Sequence, residues 1–107
     1  IVRFHTDQYA YLCSKLDAMK EGDGTVLDHS CIMFLSSMWI GRTHDNSKVP
    51  VVLAGGLGGA LQTGRSLSYM KDGDDNRKLS SLYLSLMDRY GVKLDQFGDA
   101  TERLQRL

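Results

Sequence analysis

Apolar-leaning positions near the start of the chain follow helical spacing. Steps of three and four residues separate Val2, His5, Tyr9, Leu12, Leu16 and Met19. Such spacing places these side chains on one face of an amphipathic helix. Glycine readily adopts the left-handed conformation that closes a helix, so Gly22 and Gly24 should end it. The pattern predicts a first helix over about residues 2–21.

Two short apolar runs lie further along the chain. Residues 31–35 and 51–54 are apolar at every position, which is typical of strands buried on both faces. Pro50 precedes the second run, at a place where a strand tolerates proline. A crossover between parallel strands usually needs a dozen or more residues. Residues 36–50 are just long enough, so the spacing permits parallel pairing without requiring it.

The second half of the chain predicts one clear helix. Its apolar face carries Leu79, Leu82, Tyr83, Leu86, Met87 and Tyr90. Gly91 follows its end, and Asn76 is a candidate N-cap. Weak alternation over residues 65–70 predicts an edge strand. Asp99 could cap a short final helix that reaches Leu107.

These elements are too few for a complete sheet. Two strands buried on both faces need neighbouring strands and covering helices. The order helix, strand, strand, helix supplies neither in sufficient number. We therefore expect an α/β fold in which residues 1–107 form a single segment of a larger domain. The pattern is continuous from Ile1, which predicts further sequence before it.

Composition excludes some classes of protein. Thirteen basic residues balance thirteen acidic ones, so the basic surface of a nucleic-acid-binding protein is missing. No apolar run approaches the roughly 20 residues that a membrane-spanning helix needs. Cys13 and Cys31 could pair, but two cysteines make no disulfide framework, and unpaired cysteine commonly behaves as a small buried apolar residue.

Two segments imitate known binding loops. Residues 59–66 approach a phosphate-binding P-loop, with Arg65 where the lysine belongs and no helical pattern after it. The glycines of residues 55–59 are therefore interpreted as a tight packing turn. The spacing Asp72-x-Asp74-x-Asn76 resembles the start of a calcium loop, but arginine and tyrosine stand at its sixth and twelfth positions instead of glycine and glutamate.

His44 is the histidine with the best prospect of a functional role. It lies in the loop between the two apolar runs, and ligands of open α/β sheets bind beyond the carboxyl ends of strands. Together with Asp45 it could offer one nitrogen and one oxygen to a metal. His5 is interpreted as structural, and His29 as a capping or solvent-facing residue. Ser36 at the end of the first run lacks the glycines of a nucleophile elbow.

Several motifs together resemble one bacterial family. They are, in order, residues 22–30 (GDGTVLDHS), His44-Asp45, residues 49–59 (VPVVLAGGLGG), Thr63-Gly64-Arg65, residues 82–88 (LYLSLMD) and Phe97-Gly98-Asp99. This arrangement is similar to the C-terminal part of the HxxSHH-motif family, whose molecular function is unknown. The resemblance covers nearly the whole chain. The HxxSHH motif itself lies upstream in that family and is absent here.

The resemblance implies a cellular location, a fold and candidate metal ligands. Family members are several times longer and commonly carry an export signal, so the chain would be the C-terminal segment of an exported periplasmic or cell-surface protein. The family is distantly similar to the alkaline phosphatase and sulfatase superfamily, which implies a mainly parallel sheet covered by helices. In that superfamily strand-end Asp and His residues hold divalent metals. By this analogy His44 and Asp45 are the candidate metal ligands.

One departure from the superfamily pattern sets the order of two functional hypotheses. Met38 and Trp39 stand where metal-dependent relatives would place Asp-His or Glu, and neither can ligate a hard divalent cation. We therefore expect binding or assembly without catalysis, with the remainder of the same polypeptide or another protein chain as partner. The alternative is a metal-dependent hydrolase of phosphate or sulfate esters, with most of its ligands upstream.

Overall fold

The computed structural model describes residues 1–73 and 76–107 of the chain. These residues form two compact units, Ile1–Thr63 and Gly64–Leu107. In chain order the regular elements of the described residues are α1 (Val2–Asp17), β1 (Lys20–Glu21), β2 (Gly24–Thr25), β3 (Ile32–Leu35), β4 (Val51–Ala54) and α2 (Leu79–Arg89). The spacing Asp72-x-Asp74-x-Asn76 includes a position outside the described residues.

Helix α1 is shorter than the sequence predicts. It ends at Asp17, and the glycines expected to close it instead form the turn of a small hairpin. In this hairpin Glu21 pairs with Gly24, and Gly22 occupies the turn at φ +60°. The backbone N–H of Val26 then donates to Met19 O at 2.9 Å, which folds the chain back towards the helix. A two-residue turn with glycine at positive φ suits a hairpin as well as a helix end, so the sequence signal was ambiguous.

The two apolar strands pair in the opposite sense to the predicted fold. β4 matches its predicted bounds, and β3 begins one residue later than expected. They are antiparallel, with Ile32 opposite Ala54 and Leu35 opposite Val51. The expectation of a mainly parallel, alkaline-phosphatase-like sheet is therefore wrong: the described residues contain two antiparallel two-stranded sheets and no parallel pairing. The loop between β3 and β4 contains only a short 3₁₀ turn, Gly41–Thr43, and so lacks the helix that a crossover normally uses.

One face of α1 packs on the β3–β4 hairpin. The Tyr9 ring stacks on Phe34 with 5.2 Å between the ring centroids, and the Tyr9 hydroxyl donates to Ile32 O at 2.9 Å. Tyr9, Cys13 and Leu16 are half-buried and lie three and four residues apart, as neighbours on one helix face do. The helix has no fully buried residue. A single face therefore anchors α1 within the first unit.

The second unit is built around α2. The helix follows Lys78, an extended residue, so the predicted N-cap at Asn76 is wrong. Its fully buried positions include two serines as well as leucines: Ser81, Leu82, Leu84, Ser85 and Leu86. Neither the edge strand expected over residues 65–70 nor the short helix expected after Asp99 forms.

Hydrogen bonds fix the final segment of the chain to α2. The Leu104 amide donates to Ser85 Oγ at 2.8 Å and to Ser81 O at 3.2 Å. Arg103 holds the Asp88 carboxylate with two nitrogens, at 2.8 and 3.0 Å. Small serine side chains let the segment approach the helix backbone closely. Leucine spacing alone did not show this second buried face of the helix.

Candidate functional site

The loop between β3 and β4 carries the predicted metal ligands. It closes on itself where the Trp39 amide donates to Asp45 O at 2.7 Å and the Asp45 amide donates to Ile40 O at 3.1 Å. His44 sits at the tip of this loop with φ +52°, a left-handed conformation that histidine adopts more readily than most residues. Its side chain is exposed, whereas Asp45 is half-buried. The two residues therefore lie together at the surface, as adjacent residues of one tight turn.

The Asp45 carboxylate already has a local partner. Its Oδ1 accepts the backbone N–H of Ser47 at 2.9 Å, which is an Asx turn. Hydrogen bonds from the Ser47 side chain and amide hold the pKa of Asp45 below its ordinary value, with a smaller contribution from Lys48. The carboxylate is thus kept ionised by the loop itself. This arrangement stabilises the turn and requires no cation.

Two ligands do not complete a divalent metal site. Within residues 1–73 and 76–107 no three His, Cys, Asp or Glu side chains are placed to share one metal ion. Zinc sites of proteins take three or four protein ligands, and calcium takes six to eight oxygens. His44 and Asp45 alone do not fit such an ion. Any metal bound here would need further ligands beyond the side chains that the structure describes.

The strand end beside the loop carries no acidic or histidine side chain. Ser36 follows β3, and its Oγ donates to Met38 O at 2.9 Å while accepting the Met38 amide at 3.3 Å. The hydroxyl thus serves a local turn at the end of the strand. The Trp39 side chain is 54% exposed, and Lys48 Nζ lies 6.0 Å from its ring centroid.

The glycine-rich turn after β4 is occupied by backbone contacts. The Leu57 amide donates to Ser30 O at 3.0 Å, and the Gly58 amide donates to Asp28 O at 2.9 Å. The amides of residues 59–61 donate to carbonyls of the turn itself. A phosphate cradle needs free amides that converge on an anion, and these amides already have acceptors. This confirms the interpretation of the segment as a packing turn.

The other two histidines have local roles. His5 was expected on the packed face of α1, but its side chain is exposed and its ring lies edge-on to Phe4 at 5.5 Å. His29 Nδ1 lies 2.8 Å from Glu21 Oε2, with both side chains about half exposed. Among the described residues, neither histidine belongs to a group of three His, Cys, Asp or Glu side chains that could share a metal ion.

The outward face of α1 is a feature that the spacing analysis missed. Phe4 and Tyr11 are 62% and 60% exposed, although both are large aromatic residues. They lie seven residues apart, two helical turns, and on the side away from Tyr9 and Cys13. Lys15 Nζ lies 5.1 Å from the Tyr11 ring centroid, and Arg3 and Asp7 form a loose pair at 3.9 Å. The signal in the sequence was an aromatic pair off the predicted apolar face.

Comparisons of the chain with protein-family models, with curated proteins and with solved structures gave no match. The similarity to the HxxSHH-motif family stays a prediction from the motifs. Across residues 1–73 and 76–107, no helix combines the length and the apolar character needed to cross a bilayer.

Proposed function

We propose that the chain is a binding or assembly segment that docks on a protein surface through the outward face of α1. The observation that carries the proposal is a 16-residue helix with no buried residue and two aromatic side chains about 60% exposed. The partner is the remainder of its own polypeptide or another protein chain. The motif order that resembles the C-terminal part of the exported HxxSHH-motif family supports the first of these partners.

The chemistry of this face suits a protein partner. Covering Phe4 and Tyr11 would remove their exposed apolar area from water, which would favour binding by about 2–3 kcal/mol for each ring. Lys15, Arg3 and Asp7 surround the rings with charges of both signs. Interfaces commonly combine an apolar centre with a polar rim. Because the surrounding charges have both signs, the face suits a protein surface better than a polyanion.

Sedimentation of the purified 107-residue chain over a concentration series tests the proposal. We expect concentration-dependent association of the wild-type chain, because the apolar face is uncovered without its partner. The double variant Phe4→Ser/Tyr11→Ser should stay monomeric. Tyr90→Ser is the matched control, since Tyr90 is also 60% exposed but lies outside α1. A wild-type chain that folds cooperatively and stays monomeric throughout would contradict the proposal.

A metal-dependent ester hydrolase is the rival, and metal analysis of the full-length protein separates the two. In that case His44 and Asp45 would join ligands upstream of Ile1. Stoichiometric zinc, manganese or calcium that disappears in His44→Ala would support the rival. A folded, metal-free protein without phosphatase or sulfatase activity would support binding without catalysis. The control is His29→Ala, which removes an exposed histidine paired with Glu21.

A further inference from the structure

Two hydrogen bonds bracket a short stretch of the first unit. At one end the Tyr9 hydroxyl donates to Ile32 O at 2.9 Å. At the other end Thr25 Oγ1 donates to Asp17 Oδ1 at 3.3 Å. Between these contacts the segment 25–32 runs back along α1 in the direction opposite to the helix. These two hydrogen bonds, called the bracket below, therefore hold the middle of the helix face against residues 25–32.

Both cysteines of the chain lie inside that bracket. Cys13 is four residues from Tyr9 and four from Asp17, so it lies midway along the bracketed helix face. Cys31 directly precedes Ile32, whose carbonyl accepts the Tyr9 hydroxyl. Both thiols are free and half-buried. Burial, and then interactions with Cys13 and Cys31, raise the pKa of Tyr9, which indicates that both cysteines lie near its hydroxyl group.

We propose that Cys13 and Cys31 are a reversible dithiol–disulfide pair that fastens α1 to the start of β3. The structure is the reduced form, in which the thiols flank Tyr9. The link would close a loop of about 18 residues, which reduces the conformational freedom of the unfolded chain. Because α1 has no fully buried residue, few other contacts hold the helix in place, and a covalent link would restrain it strongly. Oxidation thus fixes the helix, and reduction releases it.

The reaction is thiol–disulfide exchange with a small disulfide such as oxidised glutathione. The Cys13 thiolate attacks one glutathione sulfur, forming a mixed disulfide and releasing one glutathione thiolate. The Cys31 thiolate then attacks the Cys13 sulfur, which forms the protein disulfide and releases the second glutathione. Two protein thiols are oxidised and one glutathione disulfide is reduced to two thiols. Burial raises the pKa of the Cys31 thiol and so lowers its thiolate fraction, which makes Cys31 the slower thiol to attack glutathione and leaves it the second step, in which the target sulfur is in the same chain.

Equilibration of the 107-residue chain in glutathione redox buffers tests the pair. After acid quenching and alkylation, mass spectrometry counts the remaining thiols, and a non-reduced digest identifies linked peptides. We expect chains that are not disulfide-linked to one another, that lose both alkylation sites together and that yield one Cys13–Cys31 peptide. Separate glutathionylation of the two cysteines, or disulfide-linked dimers without that peptide, would overturn the proposal.

The same titration in concentrated urea provides the second readout. A link that fits the native geometry must form more favourably in the folded chain than in the unfolded chain, by thermodynamic linkage. We therefore expect at least a tenfold larger oxidation constant without urea, and a higher thermal midpoint for the oxidised chain. Cys13→Ser and Cys31→Ser should show no oxidation-dependent change of midpoint. A smaller oxidation constant in the folded chain would mean that the native structure opposes the link.

Discussion

Replacing Gly55 by alanine perturbs the packing turn at its closest backbone contact. A Cβ atom at this position would lie 2.2 Å from Ser30 O and 2.6 Å from Leu27 O. Both neighbours are backbone atoms, so no side-chain rotation can relieve the clash. Gly55 also has φ +95°, a conformation that side-chain-bearing residues rarely adopt. The turn must therefore move away from residues 27–30.

A matched glycine separates the free-energy cost of backbone strain from the cost of the steric clash. Gly59 has nearly the same φ, +90°, but no atom lies within 4 Å of a Cβ built there. Gly59→Ala should therefore cost only backbone strain, about 1–3 kcal/mol. Gly55→Ala carries the same strain and also disturbs the hydrogen bonds from the Leu57 and Gly58 amides. Two such bonds are worth about 1–3 kcal/mol together, which is the expected difference between the variants.

Urea unfolding followed by circular dichroism measures that difference. Both variants should keep the wild-type dependence of free energy on urea, while the midpoint of Gly55→Ala falls further than that of Gly59→Ala. Equal midpoints for the two alanine variants would refute the reasoning, because the turn would then be free to move without loss.

Three further predictions concern hydrogen bonds and ionisation. Ser85→Ala should destabilise the chain by about 0.5–1.5 kcal/mol in urea unfolding, because it removes the shorter of the two hydrogen bonds that the Leu104 amide makes to α2, whereas exposed Ser14→Ala should change little. Burial raises the pKa of Tyr9 to about 12, so this tyrosine ionises at lower pH in the unfolded chain than in the folded chain. The free energy of unfolding should therefore fall as the pH rises from 10 to about 12. In an absorbance titration, Tyr9→Phe should lack the tyrosinate signal that the wild-type chain develops near pH 12. The hydrogen bond from Arg103 lowers the pKa of Asp88, so its stabilisation is present above the ordinary aspartate pKa and is lost as the pH falls through the lowered value; Arg103→Gln should raise that pKa in a carboxyl-carbon NMR titration.

The sequence predicted individual helices and strands more accurately than it predicted how they are arranged. The apolar run at Val51–Ala54 and the helix that ends before Gly91 appear where the pattern placed them. Strand direction did not follow, because a 15-residue connection is compatible with a crossover or with a long hairpin loop. The backbone hydrogen bonds from the Trp39 and Asp45 amides close the loop and favour the hairpin. Backbone pairing of this kind requires no particular residue types, so the sequence does not indicate it.

The candidate sites show the same limit. The glycine run was correctly interpreted as a packing turn, because the residues after it lacked a helical pattern. The pairing of His44 with Asp45 was visible as adjacency, but the Asx turn that occupies the carboxylate was not. The aromatic pair of Phe4 and Tyr11 was missed because helical spacing was assigned to the face that contains Tyr9. That face is only half-buried, so both faces of α1 carry apolar residues.

The central claim is that the outward face of α1 is covered in the functional assembly. Hydroxyl-radical footprinting with mass spectrometry measures it directly, by comparing the isolated 107-residue chain with the same chain in the proposed assembly with its protein partner. We expect Phe4 and Tyr11 to be oxidised in the isolated chain at concentrations where it is monomeric and strongly protected in the assembly, while exposed Tyr90 reacts in both. Equal oxidation of Phe4 and Tyr11 in the two samples, with Tyr90 unchanged, would contradict the account.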